Sequence, residues 1–331
     1  MSCDAMNSSP AISNPTYSLF GLTVETSQPL FRVPPITPRK TADLKIEFAG
    51  QYDPAHDLHD WENVTFPLRR HGGRIQVAQC KDRIRLIYDT KFGTVVAVSD
   101  LGATSIKIAR CDGATDADLA SVCLGTIMGF ALRRRGLACL HASVVRIGDR
   151  SYAFLGRSGT GKSTLAAAFV RYAGAQLVAD DIAALEMING TWTARTGYPA
   201  SRLNGDAVRA IGNASPQDTD FVYASQLDKR YVWLPAQCTA DRPMPVSAVF
   251  DLGDTTSDQD LPLNEAQSLR SLSRQSYASY ALIDRADVRA EFQALAQLSR
   301  DVPFIPCAGR RGLGYLPDHV RRIQEIGSRV S

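Results

Sequence analysis

One stretch decides the fold of this chain, Gly156-Arg157-Ser158-Gly159-Thr160-Gly161-Lys162-Ser163-Thr164, because it is a complete G-x-x-x-x-G-K-[ST] phosphate-binding loop. One apolar run precedes it, Tyr152-Ala153-Phe154-Leu155, and a second follows it, Leu165 to Val170. These runs predict a strand before the loop and a helix after it, which is the context that such a loop needs. The alternative, a glycine-rich turn that matches the pattern by chance, is disfavoured by the same runs.

The residue types of the loop suit a nucleotide and a metal ion. Glycine at 156, 159 and 161 allows positive φ angles, so that backbone amides and a helix N-terminus can point at a phosphate. Lys162 can reach the β- and γ-phosphates, and the hydroxyl of Ser163 is placed to coordinate Mg²⁺. The loop therefore predicts binding of ATP and Mg²⁺ and leaves the phosphate acceptor open. The predicted binding residues are Gly156, Ser158, Gly159, Thr160, Gly161, Lys162, Ser163 and Thr164.

Composition narrows the class of protein. The length of 331 residues favours two domains. The net charge of +3, with basic residues spread along the chain, gives no support to nucleic-acid or membrane binding. The cysteines are scattered and odd in number, and residues 1–15 lack the regions of a secretory signal. We therefore expect a cytoplasmic protein without a disulfide framework.

Pattern along the chain predicts four parts. Residues 1–15 are expected to be a mobile tail, and short β-type runs predict a strand-rich N-terminal domain over 16–115. A linking helix is predicted within 116–136, with the basic run Arg133-Arg134-Arg135 at its end. Residues 137–331 are predicted to form an α/β P-loop domain. Its predicted elements include one strand at 137–147, a hairpin partner at 151–155 and a helix from Asn264 to about Tyr280.

Two adjacent carboxylates follow the next apolar strand, Gln176 to Ala179. An acidic residue at the end of a strand beside a phosphate loop can hold Mg²⁺ or orient the attacking nucleophile. Asp180 and Asp181 are therefore candidate functional residues. Because adjacent strand residues point to opposite sides, only one of them should face the phosphate unless the strand has already ended.

Two other polar clusters allow both a functional and a structural interpretation. Lys229 and Arg230 could contact a phosphate or the charge that develops during its transfer, or they could form a solvated strand edge. The segment Pro54 to Asp60 contains two histidines and two aspartates, but its spacing matches no metal motif, and a polar turn is the favoured interpretation.

Three segments occur in an order that resembles the catalytic domain of the HPr kinase/phosphorylase family: Leu140-His141-Ala142-Ser143, the phosphate loop, and Leu177-Val178-Ala179-Asp180-Asp181. The whole chain looks more like the shorter bacterial HPr-kinase-like proteins, some of which phosphorylate a serine of a lasso-peptide precursor. The resemblance implies an α/β P-loop kinase domain with a mixed sheet and flanking helices. It also implies an ATP- and Mg²⁺-dependent serine kinase acting on a peptide or small protein.

The same resemblance implies roles for individual residues. It places His141, Lys162, Asp180 and Asp181 in the catalytic centre, with Asp180 as general base, His141 orienting an aspartate, and Asp181 with Ser163 at the metal. The roles of the two aspartates could also be reversed. The family's hexameric habit suggests a homo-oligomer, a state that no feature of this sequence indicates by itself.

The sequence departs from the family in two respects. Thr164 stands where bifunctional members have an acidic residue, and no later glycine-rich phosphorylase segment is evident, so phosphorolysis is not expected. The N-terminal region does not match that of true HPr kinases, which argues against HPr as substrate and makes substrate docking a hypothesis for this region.

Two other functions fit the same residues. A nucleotide-sensing regulatory protein would need the loop more than the catalytic base, and a small-molecule kinase would share every residue named. A closed acceptor pocket would favour the small-molecule kinase, whereas an open groove would favour a peptide substrate.

Overall fold

The computed structural model describes residues 14–53, 60–63, 68–70, 73–90, 93–111, 113–212, 219–223, 228–253, 261–307 and 312–330. They form a mixed α/β structure with four sheets and flanking helices, which confirms the predicted fold class at that level. Within these ranges no helix combines the length and the apolar character that crossing a bilayer requires. Residues 1–13 of the predicted tail and 54–59 of the Pro54 to Asp60 segment lie outside the described residues.

The N-terminal part is a nine-stranded sheet. Its strands are β1 (Thr16–Leu19), β2 (Leu22–Thr26), β3 (Leu44–Gln51), β4 (Glu62–Asn63), β5 (Leu68–Arg70), β6 (Gly73–Gln79), β7 (Arg83–Thr90), β8 (Gly93–Asp100) and β9 (Ser105–Arg110). The order is β1-β2-β3-β9-β8-β7-β6-β4, and β5 also pairs with β6. Alternating apolar residues place one face in the core, as in β3, where Leu44, Ile46 and Phe48 are buried.

The predicted linking helix is present as three consecutive segments, α1 (Asp116–Val122), a π-helical segment (Cys123–Ile127) and α2 (Met128–Arg134). It begins with a capping box in which Thr115 and Asp118 exchange hydrogen bonds, so the N-cap lies just before the two aspartates. One hydrophobic cluster contains residues of this helix, of the N-terminal sheet and of the P-loop region. The helix is therefore part of a shared core.

The remaining chain alternates strands and helices. Its strands are β10 (Ala138–Leu140), β11 (Ala142–Ile147), β12 (Arg150–Leu155), β13 (Gln176–Ala179), β14 (Ala183–Ile188), β15 (Thr191–Ala194), β16 (Ala200–Asn204), β17 (Thr219–Phe221), β18 (Lys229–Trp233), β19 (Met244–Pro245), β20 (Ala248–Asp251) and β21 (Phe304–Pro306). Its α-helices are α3 (Lys162–Ala173), α4 (Gly205–Ile211), α5 (Glu265–Arg274), α6 (Arg285–Asp301) and α7 (Leu316–Arg329).

The central sheet of this part has the order β13-β11-β12-β20-β21. β12 is antiparallel to β11 and parallel to β20, so the sheet is mixed. On one face Phe154 packs in a cluster with residues of α3 and α7, and on the other face its neighbour Leu155 packs with residues of α5 and α6. Helices therefore cover both faces, and β12 delivers the chain into the phosphate loop at the edge of a layered core.

Two predictions of secondary structure were wrong, and they concern segments that are neighbours in the structure. The single strand at 137–147 is broken at His141, because β10 pairs with β14 in one sheet whereas β11 pairs with β12 and β13 in another. The helix that starts after Asn264 ends at Arg274 and does not reach Tyr280. Its continuation pairs with β10 instead: Tyr277 N donates to Cys139 O over 2.7 Å. Tertiary backbone pairing thus overrides the local helical pattern.

Candidate active site

The phosphate loop has the backbone that its glycines predict. Gly156, Gly159 and Gly161 have φ angles of 148°, 86° and 96°. A Cβ atom at residue 156 would lie 2.8 Å from Thr160 Oγ1 and 3.3 Å from Gly253 N, so a side chain there would collide with its surroundings. Thr160 closes the turn by donating its hydroxyl proton to Arg157 O over 2.8 Å. All three positions therefore favour glycine for conformation, and position 156 also for space.

Lys162 lies at the first turn of α3 with its ammonium folded back onto the loop. Nζ donates to Gly156 O at 2.8 Å and to Arg157 O at 3.2 Å. The residue is 5% exposed. Burial lowers the pKa of Lys162 to about 8, although the nearby charges of Asp181 and Asp180 act in the opposite direction. A bound anion would supply the negative charge that this buried cation lacks.

A cavity of about 280 Å³ opens beside the loop, and most of the predicted site residues line it. The predicted residues in its lining are His141, Ser158, Gly159, Gly161, Lys162, Ser163, Thr164, Asp181 and Lys229. We call it the catalytic cavity. Tyr88 of β7 and Gly125 of the π-helical segment also line it, so the N-terminal sheet and the linking helix contribute to its wall.

Asp181 lies in this cavity because β13 has already ended. The strand stops at Ala179, and Asp181 takes a left-handed conformation with φ of 67° that turns the chain into β14. Its Oδ2 accepts a hydrogen bond from Arg202 Nη1 at 2.8 Å and one from the Tyr277 hydroxyl at 3.3 Å. A non-glycine residue in this region of φ costs free energy and is enriched at functional sites.

His141 approaches the same aspartate from the break between β10 and β11. Its Nδ1 lies 3.1 Å from the backbone oxygen of Asp181 and 3.5 Å from Oδ1 of that side chain. Since a carbonyl oxygen can only accept, the hydrogen bond places the proton on Nδ1. The backbone amide of His141 donates to Gln275 O over 2.7 Å, which holds the main chain at this residue. Of the two aspartates, Asp181 is therefore the one beside His141, and the orienting role of His141 stays a prediction.

Asp180 has a different environment. It is 2% exposed, and both carboxylate oxygens accept hydrogen bonds, Oδ1 from Ser143 Oγ at 2.5 Å and Oδ2 from Arg202 N at 2.7 Å. These bonds tie β11 and β16 to the end of β13. Asp180 does not line the catalytic cavity, and its role as the general base stays a prediction.

Arg202 of β16 is a cavity residue that sequence reasoning missed. Its guanidinium is buried, pairs with Asp181 and lies 5.1 Å from the ring centroid of Tyr231. Burial would lower the pKa of Arg202, but the attraction of Asp181 outweighs it and raises the pKa well above the usual value. Nε and Nη2 are buried and have no hydrogen-bond partner among the described residues. No local pattern marks this residue, because one arginine in a short strand resembles a surface residue.

Tyr277 is a second cavity residue that the sequence did not indicate. It lies beyond the end of α5, in a segment that was predicted to be helical. Arg133 anchors this segment: its Nε donates to Tyr277 O at 2.7 Å and its Nη2 to Ser276 Oγ at 2.8 Å. Glycines of the linking helix make room for it. A Cβ atom at Gly125 would lie 3.4 Å from the Tyr277 hydroxyl, and one at Gly129 would lie 2.5 Å from its ring.

Lys229 and Arg230, the two candidate cations at the start of β18, lie in different environments. Lys229 lines the catalytic cavity. Arg230 stacks 4.2 Å from the ring centroid of Phe221 and donates to Thr219 Oγ1 at 3.3 Å, so it packs on the neighbouring strand β17. Adjacent strand residues point to opposite sides, which explains the separation.

The cavity fits the cofactors that the sequence predicted. Mg²⁺ in nucleotide sites is held by one or two protein oxygens together with phosphate oxygens, and Ser163 and Asp181 both bring oxygens to this cavity. Lys162, Lys229 and Arg202 supply positive charge for phosphates. The lining therefore has the chemistry of a site for a metal-bound polyphosphate.

Comparison with known proteins gives little beyond this geometry. No protein family matches the sequence, and no curated protein matches it. Among solved structures, the Hpr(Ser) kinase/phosphatase from Coxiella burnetii matches with a TM-score of 0.32 and 15% identity, covering 56% of this chain and 96% of that chain. Similarity at this level assigns neither a family nor an activity, so function has to be inferred from the site.

Proposed function

We propose that this protein is an ATP- and Mg²⁺-dependent kinase that phosphorylates a hydroxyl group, the serine of a peptide or small protein. One observation carries the proposal. Asp181, held by His141 and Arg202, lines the same cavity as Lys162 and Ser163 of the phosphate loop. A phosphate-binding loop alone would serve any nucleotide-binding protein, whereas an oriented carboxylate beside it suits transfer to a hydroxyl.

The loop binds and orients the donor. Its backbone amides and the N-terminus of α3 face the phosphates, and Lys162 exchanges its contacts with Gly156 O and Arg157 O for the β- and γ-phosphate oxygens. Ser163 contributes its hydroxyl oxygen to the metal. When bound, Mg²⁺ would neutralise part of the phosphate charge.

Asp181 acts as the general base in this proposal, in place of Asp180. The acceptor oxygen forms a bond to the γ-phosphorus, the bond between that phosphorus and the β–γ bridging oxygen breaks, and ADP leaves. The hydroxyl proton passes to the Asp181 carboxylate and then to solvent. The transition state of such a transfer is loose, so positioning of the acceptor hydroxyl by this carboxylate is the main requirement. The predicted contact of Asp181 with Mg²⁺ stays a prediction.

In our proposal, Arg202 and Lys229 stabilise the negative charge of the transferring phosphoryl group. Arg202 holds Asp181 through Nη1, and its buried Nε and Nη2 are donors for the equatorial oxygens of the transferring phosphoryl group. Lys229 lines the same cavity and adds a second cation. Asp180 keeps β11, β13 and β16 in register and contributes to catalysis only through the position of its neighbour.

A small-molecule kinase is the second candidate, favoured by the wall that Tyr88 and the linking helix form around the catalytic cavity. The volume of about 280 Å³ is close to the lower end of typical small-ligand sites. A serine side chain also fits this space if the peptide backbone stays at the rim, where the N-terminal sheet would act as a docking surface. The two candidates differ in the acceptor and share the residues.

Transfer from γ-labelled ATP to a panel of serine peptides and small alcohols tests the proposal. We expect label in a phosphate ester with the wild-type protein, and loss of transfer by about a hundredfold or more in Asp181→Asn with MgADP binding retained. Asp241→Asn is the matched control, because the Asp241 side chain is 84% exposed. Full transfer in Asp181→Asn would exclude this residue as the base. Binding of ATP without transfer to any hydroxyl would favour the nucleotide sensor.

A further inference from the structure

A second cavity, of about 450 Å³, lies beside the start of the phosphate loop. We call it the basic cavity. Three arginines line it, Arg157 of the loop and Arg270 and Arg274 of α5, and all three are exposed. Among the residues that the structure describes, none forms an ion pair with these guanidinium groups. The mechanism proposed above makes no use of their charge.

One face of α5 forms a wall of the basic cavity. Arg270, Ser271 and Arg274 share this face, because they follow one another at helical spacing. Ser271 Oγ donates to Oδ2 of Asp251, whose Oδ1 accepts a hydrogen bond from Gly253 N at 2.8 Å. Asp251 is the one acidic side chain in the described lining, and it is buried. It therefore anchors α5 beside the end of β20 and offsets only one of three positive charges.

Two segments of the chain run from the basic cavity to the catalytic cavity. In the loop, Arg157 lines the former and its neighbour Ser158 lines the latter. After α5, Gln275 lines the basic cavity and Tyr277 lines the catalytic cavity. Residues two apart in a chain are separated by at most about 7 Å, so the two cavities are neighbours. Because Arg157 and Ser158 are exposed, a bound peptide can cross the rim between them.

The arginines suit several carboxylates in one extended segment. A guanidinium group binds a carboxylate through two parallel hydrogen bonds, and clusters of arginines recognise acidic motifs. Arg270 and Arg274 lie one turn apart, which is a rise of about 6 Å along the helix. Alternate residues of an extended peptide are about 6–7 Å apart and point to the same side. Two acidic residues at alternate positions therefore match this pair, whereas a single small anion would leave part of the cluster without a partner.

We propose that the basic cavity binds acidic side chains next to the acceptor serine, so that the substrate is an acidic peptide. This inference rests on the proposed function for the role of the serine. The serine enters the catalytic cavity, and residues about two to four positions away reach the arginines at about 3.3 Å per residue of extended chain. Exposed ion pairs of this kind select a substrate and are weakened by salt.

Fluorescence polarisation of labelled peptides tests the inference, with MgADP present so that no phosphate is transferred. The probes carry one serine with glutamates at alternate positions either before or after it, and the matched probes carry glutamine instead. We expect the glutamate probe to bind about tenfold tighter in at least one of the two orders. Arg270→Gln combined with Arg274→Gln should reduce this preference to within about twofold, with the affinity for MgADP unchanged.

The matched control combines Arg285→Gln with Arg289→Gln. These arginines are exposed on α6, have the same spacing of four residues and change the net charge equally. Neither lines the basic cavity. The control should keep the full preference for glutamate, and retained binding of MgADP shows that each variant is folded.

Three results would overturn the inference. The wild type may bind glutamate and glutamine probes equally in both orders, or both double variants may lose the preference equally, which would reflect overall charge. A short oligothymidylate that displaces the probe at lower concentration than unlabelled peptide would assign the cavity to nucleic acid.

Phosphoryl transfer is scored separately. A preference for glutamate that depends on Arg270 and Arg274, in a protein that phosphorylates no hydroxyl, would uphold the acidic-peptide site and reject the kinase. Transfer to peptides without this preference would retain the kinase and reject the site.

Discussion

Nucleotide binding should change the charge of Lys162. With a pKa of about 8 in the free protein, about three quarters of these side chains are neutral at about pH 8.5. Phosphate oxygens beside Nζ favour the ammonium form and raise the pKa, so binding of MgADP should take up about 0.8 proton at that pH. At about pH 7 the side chain is already charged in about nine molecules of ten, and the uptake by Lys162 should fall to about 0.1 proton. The affinity should correspondingly decrease about tenfold between about pH 7 and pH 9.

Isothermal titration calorimetry in two buffers of different ionisation enthalpy measures this proton uptake directly. MgADP is the suitable ligand, because no phosphate is transferred during the titration. Lys162→Arg is the matched control, since a guanidinium stays charged over this range of pH and should show no uptake from this position. An uptake in the wild type that does not rise with pH would refute the reasoning that burial lowers the pKa of Lys162.

Three further substitutions separate structural from catalytic contacts. Asp180→Ala leaves Ser143 Oγ and Arg202 N without their buried acceptor, and should lower the free energy of unfolding by about 2–4 kcal/mol in denaturant titrations. Gly125→Ala puts a methyl group 3.3 Å from Arg202 Nη2. It should reduce the rate of transfer in a protein whose melting temperature stays close to that of the wild type. Tyr277→Phe removes a 3.3 Å hydrogen bond to Asp181, and should lower kcat less than about tenfold in the transfer assay.

The phosphate loop could be predicted because its signal is local. The sequence between Tyr152 and Val170 contains the strand, the glycines and the helix in one continuous run, and the structure places β12, the loop and α3 there. The strand before Asp180 could be predicted for the same reason. Hairpins such as β14–β15 also follow from short-range alternation and turn residues.

The shape of the site could not be predicted, because it depends on pairing between distant segments. His141 occupies a break between two sheets, and the apolar residues on both sides of it form one continuous pattern in the sequence. Tyr277 reaches Asp181 only because its backbone pairs with β10. Arg202 is recognised as a site residue only when β16 lies beside the end of β13.

The choice between the two aspartates shows the same limit of local reasoning. Both follow the same strand, and the sequence contains no signal that distinguishes them. The positive φ of Asp181 and the hydrogen bonds of Asp180 to Ser143 and β16 distinguish their environments. Both carboxylates are buried and hydrogen-bonded, and only Asp181 lines the catalytic cavity, which is a property of the fold.

The most direct test of the central claim is the fate of the γ-phosphate. Phosphorus NMR of the protein with MgATP and the panel of serine peptides and small alcohols distinguishes a phosphate ester from inorganic phosphate. We expect an ester signal that grows as ATP is consumed, and that is absent with Asp181→Asn. If ATP is converted to ADP and inorganic phosphate alone in the presence of every acceptor, or if the ester forms equally with Asp181→Asn, the proposed site is not that of a hydroxyl kinase with Asp181 as its base.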